Sequence, residues 1–227
     1  MQKLKQIYRS TYTGENVVTT LSLNNSEWNP ETEFIPKGVF NTFATKQALA
    51  IGNGSSRDSF PLMHIANHKA GFGGANRLQT YGCNGLYKHF VPDFLVAVGD
   101  DTIAEIANTE YTNEHIVYVN SQHLQQHPGK FYMIPQNLPF DAGSLALYMA
   151  CFDGHKKIYM LGYDSHSEHQ MGTFWEKTLL TVMSTYSDVE FIRVMPTSLW
   201  SIPAGLEGLL NFRQIGFREF VLEADIG

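Results

Sequence analysis

The chain has 227 residues, of which 43% are hydrophobic and 17% charged, enough apolar material for one sizeable core and too much for a globally disordered chain. Sixteen Lys and Arg stand against 22 Asp and Glu, a formal charge of -6, which leaves no general basic surface for a nucleic-acid backbone or an anionic membrane. The two cysteines, Cys83 and Cys151, lie far apart, without the short spacing of a zinc site or a redox pair, so a disulfide framework is excluded. The start, MQKLKQIYRS, lacks the apolar centre of a signal peptide, and no apolar run reaches membrane-spanning length, so the expected setting is cytoplasmic.

Residues 1–45 differ in texture from the rest and are expected to form a small β-rich appendage, with residues 46–227 as a nucleotide-binding domain. Within the appendage VVTTLSL, residues 17–23, reads as a strand, and the segment holding Trp28, Pro30 and Pro36 reads as turns. From Ala48 onward short apolar runs end in Gly, Asn or Asp and alternate with helix-compatible segments, the pattern of buried parallel strands. These runs are ALAIG from Ala48, FLVAVG from Phe94, HIVYVN from His115, KFYMI from Lys130, KIYMLGYD from Lys157 and VEFIRV from Val189. Together they predict an α/β fold with a doubly wound, mostly parallel, Rossmann-like sheet.

Helices are expected over 101–108 with Asp101 as cap, over 121–126, from Asp141 to a stop at Gly154, and over 172–186. In the last, Trp175, Leu179, Val182, Met183 and Tyr186 recur at three and four residue spacings, a core-packing stripe. The C-terminal stretch 209–222 fits either a helix or an edge strand.

Chemistry concentrates where strands end. After the first buried run comes Ile51-Gly52-Asn53-Gly54-Ser55-Ser56-Arg57, whose glycines permit a tight turn and close approach of a ligand to the backbone. Asn53 offers both a donor and an acceptor, Ser55 a hydroxyl, and Arg57 a fork for phosphate oxygens. Neither the dinucleotide fingerprint nor the P-loop is matched, so the loop is either a ligand cradle or a tight connection. A second glycine cluster, residues 71–77, leads to Tyr81-Gly82-Cys83-Asn84-Gly85 and makes Arg77 and Asn84 candidates at a further strand end.

The run PDFLVAVGD delivers Asp100 beside Asp101. Neighbours on an extended chain diverge, so Asp100 is favoured for ligand contact over a metal pair, and no metal site is predicted. In Phe140-Asp141-Ala142-Gly143-Ser144 a turn opens directly into a helix, where free amides favour an anion; Asp141 is the natural cap, leaving Gly143 and Ser144 for a ligand. Finally Leu161-Gly162-Tyr163-Asp164-Ser165-His166-Ser167-Glu168-His169 sets two histidines beside carboxylates, either a general base with its orienting acid or a solvated loop.

The order AIGNGSSR, YGCNG, PDFLVAVGD and FDAGSLALYMACFDGHKKIYMLGYD, within residues 48–195, resembles the sialyltransferase-like group of Rossmann-type transferases. That group includes sialyltransferases, motility-associated flagellin glycosyltransferases and the 6-hydroxymethyl-dihydropterin diphosphokinase family. The resemblance implies that Gly52, Asn53, Gly54 and Asn84 contact the CMP part of a nucleotide-sugar donor, that Gly143, Ser144, Tyr163 and Asp164 belong to the same cleft, and that His169 or His166, with Glu176 following, supplies the base. It implies a hydroxyl-bearing acceptor and transfer without a cofactor. The diphosphokinase branch would instead use ATP with Mg²⁺ held by Asp100 and Asp164, and a non-catalytic nucleotide-binding or assembly module is a third expectation.

Overall fold

The computed structural model describes residues 3–9, 16–24, 27–35, 47–69, 78–135, 138–164 and 172–227, with side chains from Gln47 onward and, in the long helix that starts at Gly172, from Phe174. In chain order the strands are β1 (Lys3–Arg9), β2 (Asn16–Asn24), β3 (Glu27–Ile35), β4 (Gln47–Ile51), β5 (Gln79–Cys83), β6 (Phe94–Val96), β7 (Ile116–Val119), β8 (Tyr132–Met133), β9 (Lys157–Leu161), β10 (Glu190–Met195) and β11 (Phe212–Gly216). The helices are α1 (Met63–Ala66), α2 (Asp100–Ala107), α3 (Tyr111–Glu114), α4 (Ser121–Gln126), α5 (Ala142–Phe152), α6 (Gly172–Thr185) and α7 (Phe217–Glu223).

The first three strands form an antiparallel sheet with β2 in the middle. The segment around Trp28 and Pro30, expected as turns, is the strand β3. Proline is tolerated because, among the described strands, β3 is an edge strand paired with β2, where Pro30 faces Leu21. Pro36 lies outside the described residues.

The other eight strands form one sheet in the order β11-β10-β9-β4-β5-β6-β7-β8, parallel at every pairing. The chain steps outward from β4 to β8, then returns to the other side of β4 and steps outward again through β9, β10 and β11. The winding therefore reverses between β4 and β9, the position at which open α/β sheets generally place a ligand. The doubly wound α/β expectation holds.

The sequence reading anticipated neither β1 nor β5. β5 (QTYGC) carries Gln, Thr and Gly in a fully buried strand, so it lacks a continuous apolar run. β11 (FRQIG) is one of the two edge strands of this sheet, and its polar residues reflect that position. The stretch 209–222 thus holds both alternatives in succession, β11 and then α7.

Alternation along β4 decides what lies on each face. Ala48 and Ala50 point with Tyr81, Val96 and Ile158 toward α5 and α6, whereas Leu49 and Ile51 point with Leu95, Val117 and Leu161 toward Ile103 and Ile106 of α2 and Phe220 of α7. The small alanines let α5 come close to the sheet. α5 is apolar around nearly its whole circumference, as suits a helix covered by the sheet on one side and α6 on the other. Asp141 caps it as expected, accepting the Ser144 N–H at 2.9 Å, and Gly154 follows its end at φ +89°. In α6, Leu179, Val182 and Met183 are buried in the same core, with Trp175 and Tyr186 beside them.

One cap differs from expectation. α2 begins a residue early, with Gly99 at the N-cap (φ +94°), so Asp100 and Asp101 both fall in its first turn and neither caps it by a side-chain hydrogen bond. Their charge still complements the positive end of the helix dipole.

Candidate functional site at the carboxyl ends of β4 and β9

The loop after β4 and the turn after β9 are fastened to each other. Gly52 N–H donates to the Leu161 carbonyl at 2.8 Å and Gly54 N–H to the Gly162 carbonyl at 2.9 Å. Asp164 then closes the clasp from the β9 side, accepting the Ser56 N–H at 3.1 Å, the Ser56 hydroxyl at 2.5 Å and the Ser55 hydroxyl at 3.4 Å.

This contact explains the glycines. A Cβ on Gly52 would stand 2.4 Å from the Gly162 carbonyl oxygen, and one on Gly54 would stand 1.8 Å from Asp164 Oδ1 and 2.7 Å from the same carbonyl. Gly162 itself sits at φ +74°. The close approach that Gly52 and Gly54 make possible is therefore between two loops of the protein, and both residues are buried in it. What the clasp leaves outside is Asn53 and Ser55, both exposed at its crest.

Arg57 folds back over the loop and donates from Nη1 to the Gly52 carbonyl. Its side chain is 15% exposed, and its one ion pair among the described residues is a 4.0 Å approach to the exposed Asp58. Its charge reaches the end of β5: burial pushes the Cys83 thiol up to about 12, and the nearby guanidinium opposes that rise. A largely sheltered guanidinium that makes one hydrogen bond among the described residues, at the ends of three strands, suits an anion.

Asn84, at the end of β5, adopts the left-handed conformation at φ +48°, and its Oδ1 accepts the Val98 N–H at 2.9 Å. The side chain thereby ties the end of β5 to the end of β6, and no described residue engages its amide NH₂. A non-glycine residue held in this conformation at a strand end costs energy and is typical of functional loops.

Two further predicted ligand residues, Ser144 and Tyr163, are buried. Ser144 is fully buried; its hydroxyl lies 2.6 Å from Asp141 Oδ2 and 2.8 Å from Thr178 Oγ1, locking the start of α5 to α6. Tyr163 is 1% exposed, and its hydroxyl donates to the Gly143 carbonyl at 2.7 Å, so it is a strut between the β9 turn and α5, with a phenol that burial drives well above its usual range. In both, the polar side-chain atom faces protein partners. Gly143 stays partly exposed beside the Asp141 carboxylate, which holds the Ser144 amide that an anion would otherwise use.

Asp100 is exposed at the start of α2, with His123 Nδ1 3.7 Å away, toward the ends of β6 and β7 and apart from the Asp164 clasp. Glu176 is half-buried on α6, two positions before Thr178, which accepts and donates at the α5 cap. At about 100° per residue this turns Glu176 to the opposite side of the helix from that cap. His166, His169 and Arg77, with the glycine cluster 71–77, lie outside the described residues.

Sequence reasoning missed Arg193. It stands in the middle of β10 and is 1% exposed, with burial lowering its pKa and the Asp164 charge opposing the change. Nε donates to the Tyr163 carbonyl at 2.8 Å, and Nη1 to the Ser201 carbonyl at 2.9 Å and Gln214 Oε1 at 3.0 Å. The signal was present in VEFIRV: a lone cation inside a buried strand must have partners.

Comparison with known proteins adds a likeness of shape. No protein-family model and no curated protein sequence matches the chain. Among solved structures it is similar to the sialyltransferase CstII of Campylobacter jejuni in complex with the substrate analogue CMP-3FNeuAc, at 15% identity and a TM-score of 0.45 over 67% of this chain and 82% of that one. It is also similar to an α-2,3-sialyltransferase of Campylobacter jejuni in apo form, at 14% identity and a TM-score of 0.43 over 66% and 75% of the two chains. A substituted CST-II in complex with CMP aligns over 80% of this chain and 99% of that one, at 14% identity and a TM-score of 0.47. Among the described residues no helix is long and apolar enough to cross a membrane.

Proposed function

We propose that the protein is a glycosyltransferase that binds a nucleotide-activated sugar, with a CMP-linked donor, in the crevice between β4 and β9. The observation that carries this reading is the clasp: it holds Asn53 and Ser55 exposed at the point where strand order reverses, with Arg57 beside them. The order of sequence motifs described above supports the choice of CMP.

In this proposal Asn53 and Asn84 read the nucleoside, Asn84 through the amide NH₂ that its Val98 contact leaves over. Arg57 neutralises the phosphate as the glycosidic bond to CMP breaks, and no metal is required. Transfer then needs a base to take the proton from the acceptor hydroxyl, a role given to His169 or His166 with Glu176 downstream. A clasp fixed by backbone hydrogen bonds suits this work, since fixed dipoles need no reorganisation as charge develops. The unit formed by residues 46–227 carries the whole of this site, and residues 1–45 stand as an appendage to it.

A magnesium-dependent diphosphate transfer fits the side chains less well. Asp164 is engaged by Ser55 and Ser56, Asp100 stands toward β6 and β7, and among the described residues no three His, Cys, Asp or Glu side chains gather as metal ligands. The test of the transferase reading is His169→Ala, measured for turnover and for CMP affinity. Turnover should fall about 100-fold or more while CMP affinity holds; loss of both together would remove His169 as the base.

A further inference from the structure

The segment between β10 and β11 leaves the sheet at the same carboxyl edge as the clasp and, where it leaves β10, carries two adjacent exposed apolar side chains, Leu199 at 93% and Trp200 at 45%, with Leu210 exposed farther along. The backbone beneath them is pinned. Gln214 Nε2 donates to the Ser198 carbonyl at 3.1 Å and to the Trp200 carbonyl at 2.5 Å, and Thr197 Oγ1 accepts the Leu199 N–H at 3.0 Å. Gln214 is in turn held through Oε1 by Arg193, whose Nη1 also grips Ser201 and whose Nε grips Tyr163.

A surface loop that only connected two strands would not need a buried guanidinium under it, because desolvating that charge is costly. Arg193 sets the height of the Trp200 loop against the turn that bears Asp164. The loop lies over the ends of β10 and β11: a Cβ on Gly216, the last residue of β11, would stand 3.4 Å from Ser198 N and 3.6 Å from Thr197 Cα. With strands about 4.8 Å apart, Trp200 stands roughly one to two strand spacings from the β9 turn. That is the scale of one or two sugar rings beyond the point of transfer.

We propose that Trp200 is the acceptor platform, an indole against which the apolar face of an acceptor pyranose rests while its reactive hydroxyl reaches the crevice. An aromatic on a pinned backbone offers large apolar area at little cost in conformational entropy. The occupant is a saccharide because Arg193 ties the Trp200 loop to the β9 turn, beside which, on the transferase reading, a sugar is transferred; the proposal rests on that reading.

The experiment uses the full chain and a panel of lactose, maltose, cellobiose and their trisaccharide homologues, followed by saturation-transfer NMR with and without saturating CMP. CMP affinity is measured separately by calorimetry. Wild-type protein should bind at least one saccharide through the carbon-bound protons of one ring face. Trp200→Ala should weaken that binding by about tenfold and Trp200→Phe by less than about threefold, with CMP affinity and melting temperature unmoved. Saccharide binding that survives Trp200→Ala, or none from the panel to wild type, overturns the platform. Failure of CMP binding alone would instead sink the nucleotide reading, since the saccharide arm without CMP is read independently.

Discussion

The carboxylate of Asp164, on the turn after β9, accepts the backbone N–H of Ser56, on the loop after β4, at 3.1 Å. Two loops more than a hundred residues apart in sequence are thereby held as one surface, and the exposed crest of that surface is Asn53 and Ser55.

Asp164→Ala should release this surface. The substitution leaves the Ser56 N–H and two serine hydroxyls without their acceptor, a loss of about 2 kcal/mol. Thermal unfolding should move down by about 5 °C, and CMP affinity should fall more than stability alone explains. Calorimetry beside a melting curve checks both.

Gly52→Ala tests the close approach directly. Its Cβ would lie 2.4 Å from a backbone oxygen, which cannot rotate away as a side chain could. The urea midpoint should fall by an amount equivalent to about 1 to 3 kcal/mol. An unchanged midpoint would mean that the two loops are not clasped in solution.

Arg193→Ala should loosen the Tyr163 turn and the Trp200 loop together. Three acceptors lose their donor, so the cost should reach about 3 kcal/mol in urea unfolding. Amide exchange of both segments should accelerate in the same variant, whereas exchange in β6 and β7 should not.

Acid should weaken the other end of the molecule through Glu223. Hydrogen bonds from Arg213 hold its carboxyl at about 2 against an ordinary 4.5; burial opposes them, and Lys157 adds to them. A folded pKa below the unfolded one stabilises fully above about 4.5 and ceases to do so as pH falls toward 2. The Glu223→Gln variant should therefore show a shallower loss of stability across that window, read from urea midpoints at several pH values.

Cys83 and Cys151 should be silent. Both are free and buried, and burial raises both thiols, that of Cys83 to about 12. A thiol reagent at neutral pH should label neither until the chain unfolds.

Much of this fold was legible in the sequence because buried parallel strands write continuous apolar runs, as in ALAIG and KIYML, and because Asp141 and Gly154 bracket α5 with ordinary cap chemistry. β5 was hidden because its central position is occupied by Gln79, Thr80 and Gly82, whose burial is tolerated through hydrogen bonds that only the fold supplies; Thr80, for example, pairs twice with Asp93 at 2.9 Å. The site was legible by address but not by role. Strand ends named Asn53, Arg57, Asn84 and Asp164, yet nothing local distinguishes a serine that meets a ligand from Ser144, whose partner Thr178 comes from another helix. Arg193 and Gln214 act across strands, and such partners have no sequence spacing to betray them.

Whether the exposed crest at Asn53 belongs to a CMP site is decided by calorimetry of CMP, CDP, UDP, GDP and ATP, each with and without Mg²⁺. CMP should bind in preference to the others, without Mg²⁺, and Asn53→Ala should weaken it by about tenfold with no change in melting temperature. Binding of ATP only in the presence of Mg²⁺, or of no nucleotide to the folded protein, would contradict it.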